Sequence, residues 1–229
     1  MTFSRDDQQL LAFDHGIMTE FDNFIALKAH QPIVNHLKNL NVGEHVYIFG
    51  EKSSGRSHLA KAMCVYHTNR RSLYLPLSEL KFLDKRMLEG INQVDLICVE
   101  DIDLLVDNPV QQVILFDLIN LCKAYNVSML ITARFKPANM DNWLPDLKTR
   151  LQAMCCWQLP QMMDDEKAII LEFWLKKQNM FLEPEIIHYV FKNITRDLKE
   201  SKDLLESFAR HCMKIKKTPN IKAIKEYSG

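Results

Sequence analysis

The sequence predicts an α/β protein: a five-stranded parallel sheet layered with helices, followed by a small all-helical domain. Three observations predict it. Five short apolar runs, near residues 45–49, 73–75, 94–101, 127–132 and 155–159, alternate with helix-length stretches. The third, Val94-Asp95-Leu96-Ile97-Cys98-Val99, is apolar at nearly every position, as a strand covered on both faces must be. After Pro160 only helix-like segments follow. The chain therefore divides into a tail over residues 1–20, an α/β domain over 21–160 and a helical domain over 161–229.

The 229 residues suffice for this plan, and 47% hydrophobic with 25% charged residues is ordinary globular composition. Lys plus Arg equals Asp plus Glu, 29 against 29. A chain that held DNA chiefly through its phosphates would be basic, so nucleic acid is not the leading partner. No apolar run approaches the ~20 residues of a membrane span, and the N-terminus lacks the basic-then-apolar form of a signal peptide. The six cysteines form no C-x-x-C pair and mostly sit in apolar segments. They read as reduced core residues of a cytoplasmic protein rather than a metal site.

In chain order, the tail is polar and acidic apart from Leu10, Leu11 and Phe13. Its Gln9-Leu10-Leu11-Ala12-Phe13 resembles the short peptide by which bacterial proteins dock on the replicative sliding clamp, Gln-Leu-x-Leu-Phe, with Ala12 departing at the fourth position. Leu10 and Phe13 would be apolar anchors and Gln9 an orienting amide; the alternative is a segment folded onto its own domain. Residues 33–40 read as a helix and 45–49 as the first strand. A helix over 57–67 carries Leu59, Ala62, Met63 and Tyr66 on one face. Residues 73–75 form the second strand and 78–88 a helix. The third strand ends in two carboxylates, Glu100 and Asp101. Asn108-Pro109 opens a helix whose face is Val110, Val113, Ile114, Leu118, Leu121 and Tyr125. The fourth strand ends at Thr132 and the fifth runs from Cys155. Beyond 160, Asp164-Asp165-Glu166 opens a helix with first-turn acids, Pro184 opens the next, and further helices cover 196–213 and the last residues.

The chemistry concentrates between the first strand and its helix, in Gly50-Glu51-Lys52-Ser53-Ser54-Gly55-Arg56-Ser57-His58. Strand, glycine-bounded loop and helix are the setting of a phosphate-binding loop. Gly50 and Gly55 permit main-chain conformations that let successive N–H groups converge on phosphate oxygens, and the helix N-terminus adds positive potential. Ser57 stands where a hydroxyl holds Mg²⁺, while Arg56 replaces the usual Lys. Acidic residues at a strand's carboxyl end face the ligand crevice of such sheets. In phosphate-loop ATPases these positions hold Mg²⁺ and polarise the attacking water, which assigns Glu100 and Asp101. The alternatives are a Gly/Ser turn and a solvated strand end.

Taken together, the motifs resemble the AAA+ ATPases, and within them the DnaA branch, over residues 20–229. Phe21-Asp22-Asn23-Phe24 resembles that branch's entry segment near the adenine, Leu130-Ile131-Thr132 its sensor strand, Leu144 to Leu151 its arginine-finger segment, and Ile194-Thr195-Arg196-Asp197-Leu198 its lid sensor. The resemblance implies ADP or ATP with Mg²⁺ between sheet and lid. The base lies near Phe24 and Ile25, the phosphates on residues 50–58, with Thr132 and Arg196 as sensors and Ser57 and Glu100 on the metal. It implies Arg150 as a finger directed at a neighbour's nucleotide. Relative to DnaA, the sequence stops at the lid, so no origin-reading domain is expected, and a short tail replaces the N-terminal domain. This pattern is closest to the branch's regulatory members. These bind the sliding clamp of DNA polymerase III, stimulate hydrolysis of DnaA-bound ATP and so repress re-initiation. Arg56 makes its own hydrolysis doubtful, and Ala133-Arg134-Phe135 departs from the family. The alternatives are an ATPase acting itself as initiator paralogue or helicase loader, and a scaffold without nucleotide. Homo-oligomer formation stays open.

Overall fold

The computed structural model describes Phe21 and residues 28–228. Its centre is a five-stranded sheet in the order β2-β3-β4-β1-β5, made of β1 (His45–Phe49), β2 (Ser72–Pro76), β3 (Leu96–Glu100), β4 (Ser128–Ala133) and β5 (Cys155–Gln158). Every neighbouring pair is parallel. Helices α1 (Gln31–Lys38), α2 (Arg56–Tyr66), the single turn α3 (Leu77–Leu80), α4 (Pro109–Ala124) and α5 (Pro145–Gln152) connect and cover it. Beyond β5 come α6 (Asp164–Lys177), α7 (Pro184–Asn193), α8 (Leu198–Lys214) and α9 (Ile221–Ser228).

The alternation of side chains along a strand splits the core in two. Val46, Ile48, Leu96, Cys98 and Leu130 face α1 and α2, where Ile33, Leu37, Leu59 and Met63 meet them. Tyr47, Ile97, Val99, Met129 and Ile131 face α4 and α5, against Leu115, Leu118, Ile119, Leu147 and Leu151. Both faces of the middle strands are therefore buried, which accounts for their unbroken apolar runs. A third cluster, from Met162 to Ile224, packs α6–α9 on one another.

Three expectations are corrected. The helix expected over 78–88 is broken: α3 ends at Lys81, whose φ of 64° is left-handed, and a 3₁₀ segment, Lys85–Gln93, starts where Asp84 accepts the Arg86 N–H. The buried face of α4 is rotated from the one expected. Val110, Val113 and Tyr125 are exposed, while Gln111, Gln112, Leu115, Leu118, Ile119 and Cys122 are buried. The two glutamines are tolerated inside because they satisfy main-chain groups: Gln111 Nε2 donates to Leu83 O, Gln112 Nε2 donates to Leu105 O and Val106 O, and Leu144 N–H donates to Gln112 Oε1. Finally, Cys155 and Cys156 are exposed rather than core residues, because β5 is the sheet edge and leaves one long side uncovered. A bracket ties that edge to the fold: Trp157 Nε1 donates to His36 Nδ1 at 2.7 Å, and His36 Nε2 meets Glu44. Among the described residues no helix is long and apolar enough to cross a membrane.

Candidate functional site

The sheet order delivers the loop after β1 into a cavity. β1 lies between β4 and β5, so the chain leaving Phe49 emerges inside the sheet's carboxyl edge. There it borders a pocket of about 690 Å³, within the range of small-molecule sites. Residues 52–58 line one wall and residues 197–200, at the start of α8, the other. Gly55 has a φ of 98°, a conformation that L side chains rarely adopt. At Gly50 the requirement is space: a Cβ would stand 2.8 Å from Ser54 Oγ and 3.0 Å from Leu159 Cβ. Ser53 holds a φ of 64° without being glycine. The helix that follows, α2, begins at Arg56 with its free main-chain N–H groups at the pocket.

The acidic end of β3 abuts the same loop. Glu100 is 3% exposed. Burial pushes its pKa up, while hydrogen bonds from Tyr74 and Ser57 act in the opposite direction. Its Oε2 accepts from the Tyr74 hydroxyl, and its Oε1 has no partner among the described residues. Asp101 turns into the left-handed region at φ 55° and places its carboxylate 3.0 Å from the Arg56 guanidinium. Burial pushes its pKa up as well, against the Arg56 charge. Thr132, fully buried on β4, accepts the Asp101 N–H at 3.2 Å and so fixes that turn. Asp103 completes the cluster; it accepts from Arg134 N and Nε at 3.0 and 2.7 Å and lies 3.9 Å from Arg56. Arg56 therefore points at carboxylates of its own chain.

On the lid side the structure brings up a neighbour of the expected sensor. The Arg196 side chain is 77% exposed, 3.9 Å from Asp164, and is not part of the pocket wall. Asp197 is: its Oδ2 meets Lys52 Nζ at 2.9 Å and accepts from Ser53 Oγ at 3.3 Å, while its Oδ1 caps α8. Burial pushes the Asp197 pKa up, yet the bonds from Lys52 and the α8 amides outweigh it and the net shift is downward. Two rings also reach this pocket, His58 and Trp174, nearly parallel at 6.3 Å. Sequence reading missed Asp197, Arg134, Asp103 and Trp174. The one available clue was that Asp197 has the residue type of a helix cap.

The remaining candidates lie elsewhere. Arg150 is half-buried on α5, its guanidinium 5.9 Å from the Phe116 ring, and among the described residues it makes no ion pair with Asp146 or any other carboxylate. It lines a cleft with Gly43 and His45, at the opposite end of β1 from the phosphate-type loop. That is about 13 Å of strand away. Phe21, expected beside a base, is instead buried against Tyr66 in the last turn of α2. Phe24, Ile25, Gln9, Leu10 and Phe13 lie outside the described residues.

The residues present fit a phosphorylated ligand and a small hard cation. The cradle at Gly50 is one that a Cβ would fill, and Ser54 Oγ and Glu100 Oε1 are buried without partners among the described residues. A hydroxyl and a carboxylate left unpaired beside free helix N–H groups suit phosphate and Mg²⁺ respectively.

No protein-family model matches the sequence. An uncharacterized protein of Haemophilus influenzae is 30% identical over 184 residues, 78% of this chain and 80% of the relative. Among solved structures, domain III of the Thermotoga maritima replication initiation protein DnaA superposes with a TM-score of 0.76 at 15% identity, covering 90% of this chain and 93% of that one. AMPPCP-bound DnaA from Aquifex aeolicus gives 0.68 at 18% identity, with 83% of this chain covered but only 64% of that one. The Aeropyrum pernix Orc1 protein in complex with DNA gives 0.68 at 12% identity, covering 90% and 68%. The chain thus belongs to one family with the Haemophilus influenzae protein, and its fold is that of the DnaA-related AAA+ domains.

Proposed function

We propose that this chain is a nucleotide-bound regulator of the Hda type, which docks on the sliding clamp and makes DnaA hydrolyse its bound ATP, repressing re-initiation. The observation that carries the nucleotide part is the cradle: Gly50 and Gly55 open it, and Ser54 Oγ and Glu100 Oε1 are buried without hydrogen-bond partners among the described residues. In this reading the N–H groups of residues 50–58 hold the phosphates, Ser57 and Glu100 hold Mg²⁺, and the start of α8 forms the facing wall. The chemistry supplied with ADP and Mg²⁺ is electrostatic, an anion and its counter-ion that the loop's N–H groups, Ser57 and Glu100 would hold. Arg150 supports the regulatory part: a guanidinium with no carboxylate partner among the described residues, at the far end of β1 from its own loop, is available to a neighbouring molecule. The test is the turnover of DnaA-bound ATP in the presence of loaded clamp, DNA and this protein. Turnover no faster than with clamp and DNA alone rejects the regulatory role.

A second reading, an AAA+ ATPase acting itself as initiator paralogue or helicase loader, is favoured by one observation. Both carboxylates at the end of β3 are present and adjoin the loop. Single-turnover hydrolysis by the isolated protein separates the two.

Clamp docking rests on the sequence of residues 9–13. Changing Leu10 and Phe13 together to alanine is expected to weaken clamp binding by tenfold or more, because anchors of this kind carry over ~2 kcal/mol each when truncated, and to leave the melting temperature unchanged. Surface plasmon resonance against immobilised clamp checks this, and unchanged affinity means the tail does not dock.

A further inference from the structure

We propose that Asp197 is a latch on the ligand pocket: its carboxylate occupies, on Lys52 and Ser53, a position for an anion, and entry of a phosphorylated nucleotide exchanges one anion for the other and frees α8 to move. The inference rests on the nucleotide reading above and adds to it how the site is closed when no ligand is present.

The geometry separates the two oxygens of one side chain. Oδ1 accepts the N–H groups of Lys199 and Glu200, both at 3.0 Å, and so caps α8 in the ordinary way. Oδ2 does something a cap does not need: it crosses to the loop, 2.9 Å from Lys52 Nζ and 3.3 Å from Ser53 Oγ. The Leu198 N–H adds a long bond to Ser53 Oγ at 3.4 Å. These partners are 144 and 145 residues apart in sequence, so the contact is built by the fold and not by the helix.

Two further observations point the same way. Ser53 sits in a left-handed conformation that a non-glycine residue keeps only when its surroundings hold it, and its side chain is held from the lid by Asp197 and Leu198. And each loop cation on the pocket wall already has an internal anion, Lys52 with Asp197 and Arg56 with Asp101. An incoming phosphate therefore meets, on the loop side of the pocket, cations that already face carboxylates, and binding at Lys52 proceeds by displacing one. Lys52 is 78% exposed, so its pair is screened and light enough to be displaced.

The split of the two oxygens makes the idea testable. Asp197→Asn keeps a good cap on α8 but replaces the bridging carboxylate oxygen by a neutral amide. ADP with Mg²⁺, measured by isothermal titration, is expected to bind the variant about two- to fivefold more tightly, the span of an exposed ion pair. Amides 198–200 are expected to exchange faster in the ligand-free variant, and the gain in affinity to vanish when both proteins also carry Lys52→Met. Asp197→Ser, a cap too short to reach the loop, gives the same result should the asparagine variant fold poorly. Weaker or unchanged ADP binding by the variants, or a gain that survives Lys52→Met, overturns the latch while leaving the nucleotide reading intact. If ADP binds neither parent nor variant, the nucleotide reading falls and the latch falls with it.

Discussion

Arg150→Ala is expected to leave this protein folded, ADP-bound and clamp-bound, and to leave DnaA in its ATP form. An arginine presented to a neighbour's γ-phosphate stabilises charge that develops on the transferred group, a contribution on the order of 10³–10⁵ in rate for the GTPase fingers. The requirement is a planar, permanently charged fork, which Lys does not reproduce, so Arg150→Lys is expected to fail nearly as badly. A structural ion pair does not compete with this role, since Arg150 makes none among the described residues. What it does touch, the Phe116 ring, is worth about 0.5–2 kcal/mol, the span from an exposed to a desolvated site, for a half-buried guanidinium. Stability loss should stay within that range. The measurement is DnaA-bound ATP turnover with clamp and DNA, beside a melting curve for each variant. Near-parental turnover by the alanine variant removes the finger, and with it most of the case for a regulator over a self-sufficient ATPase.

The second large effect is expected at Gly55. With φ at 98°, a β-branched side chain there is strained whatever space surrounds it. Gly55→Val would turn the main chain out of the cradle at the step into α2. In the parent, ADP at a hundredfold excess over its dissociation constant should add about 2.7 kcal/mol, which for a chain of this size raises the melting temperature by roughly 5–10 °C. The variant should fold and show no such rise. A parent that does not respond to millimolar ADP and Mg²⁺ defeats the nucleotide reading; a variant that responds like the parent defeats the role given to the loop's geometry.

The two positions show what kind of information the sequence holds. Gly55, Ser57, Glu100 and Thr132 were legible because each follows from a local pattern: a glycine at the mouth of a helix, an acid or a hydroxyl at the end of an apolar strand. The middle strands β1, β3 and β4 were legible for the same reason, since burial on both faces leaves few polar positions in each. The buried face of α4 was not legible, because Gln111 and Gln112 read as surface residues until Leu83, Leu105 and Val106 supply the main-chain groups they satisfy. The break after α3 was hidden likewise, since it turns on Lys81 taking a left-handed conformation without glycine or proline to mark it. Asp197 carried only half its role in sequence. Its cap could be inferred from Leu198 onward, whereas its bond to Lys52 depends on how the lid folds over the loop.

The sheet order also sets when the pocket can exist during synthesis and folding. β1 comes first in the chain but finds its neighbours last: the loop before it bonds Ser128, 85 residues on, and Tyr47 bonds the Phe135 carbonyl, 88 residues on. The bracket from α1 to β5 spans 121 residues. Parallel pairings at such separations must close long loops before they gain anything in return, and they form slowly. A nascent chain therefore carries the glycines of the cradle through most of its synthesis without a cradle. The loop takes its shape only when β4 and β5 dock on either side of β1. Under the nucleotide reading, ADP would therefore act late, on a loop that β4 and β5 have already placed.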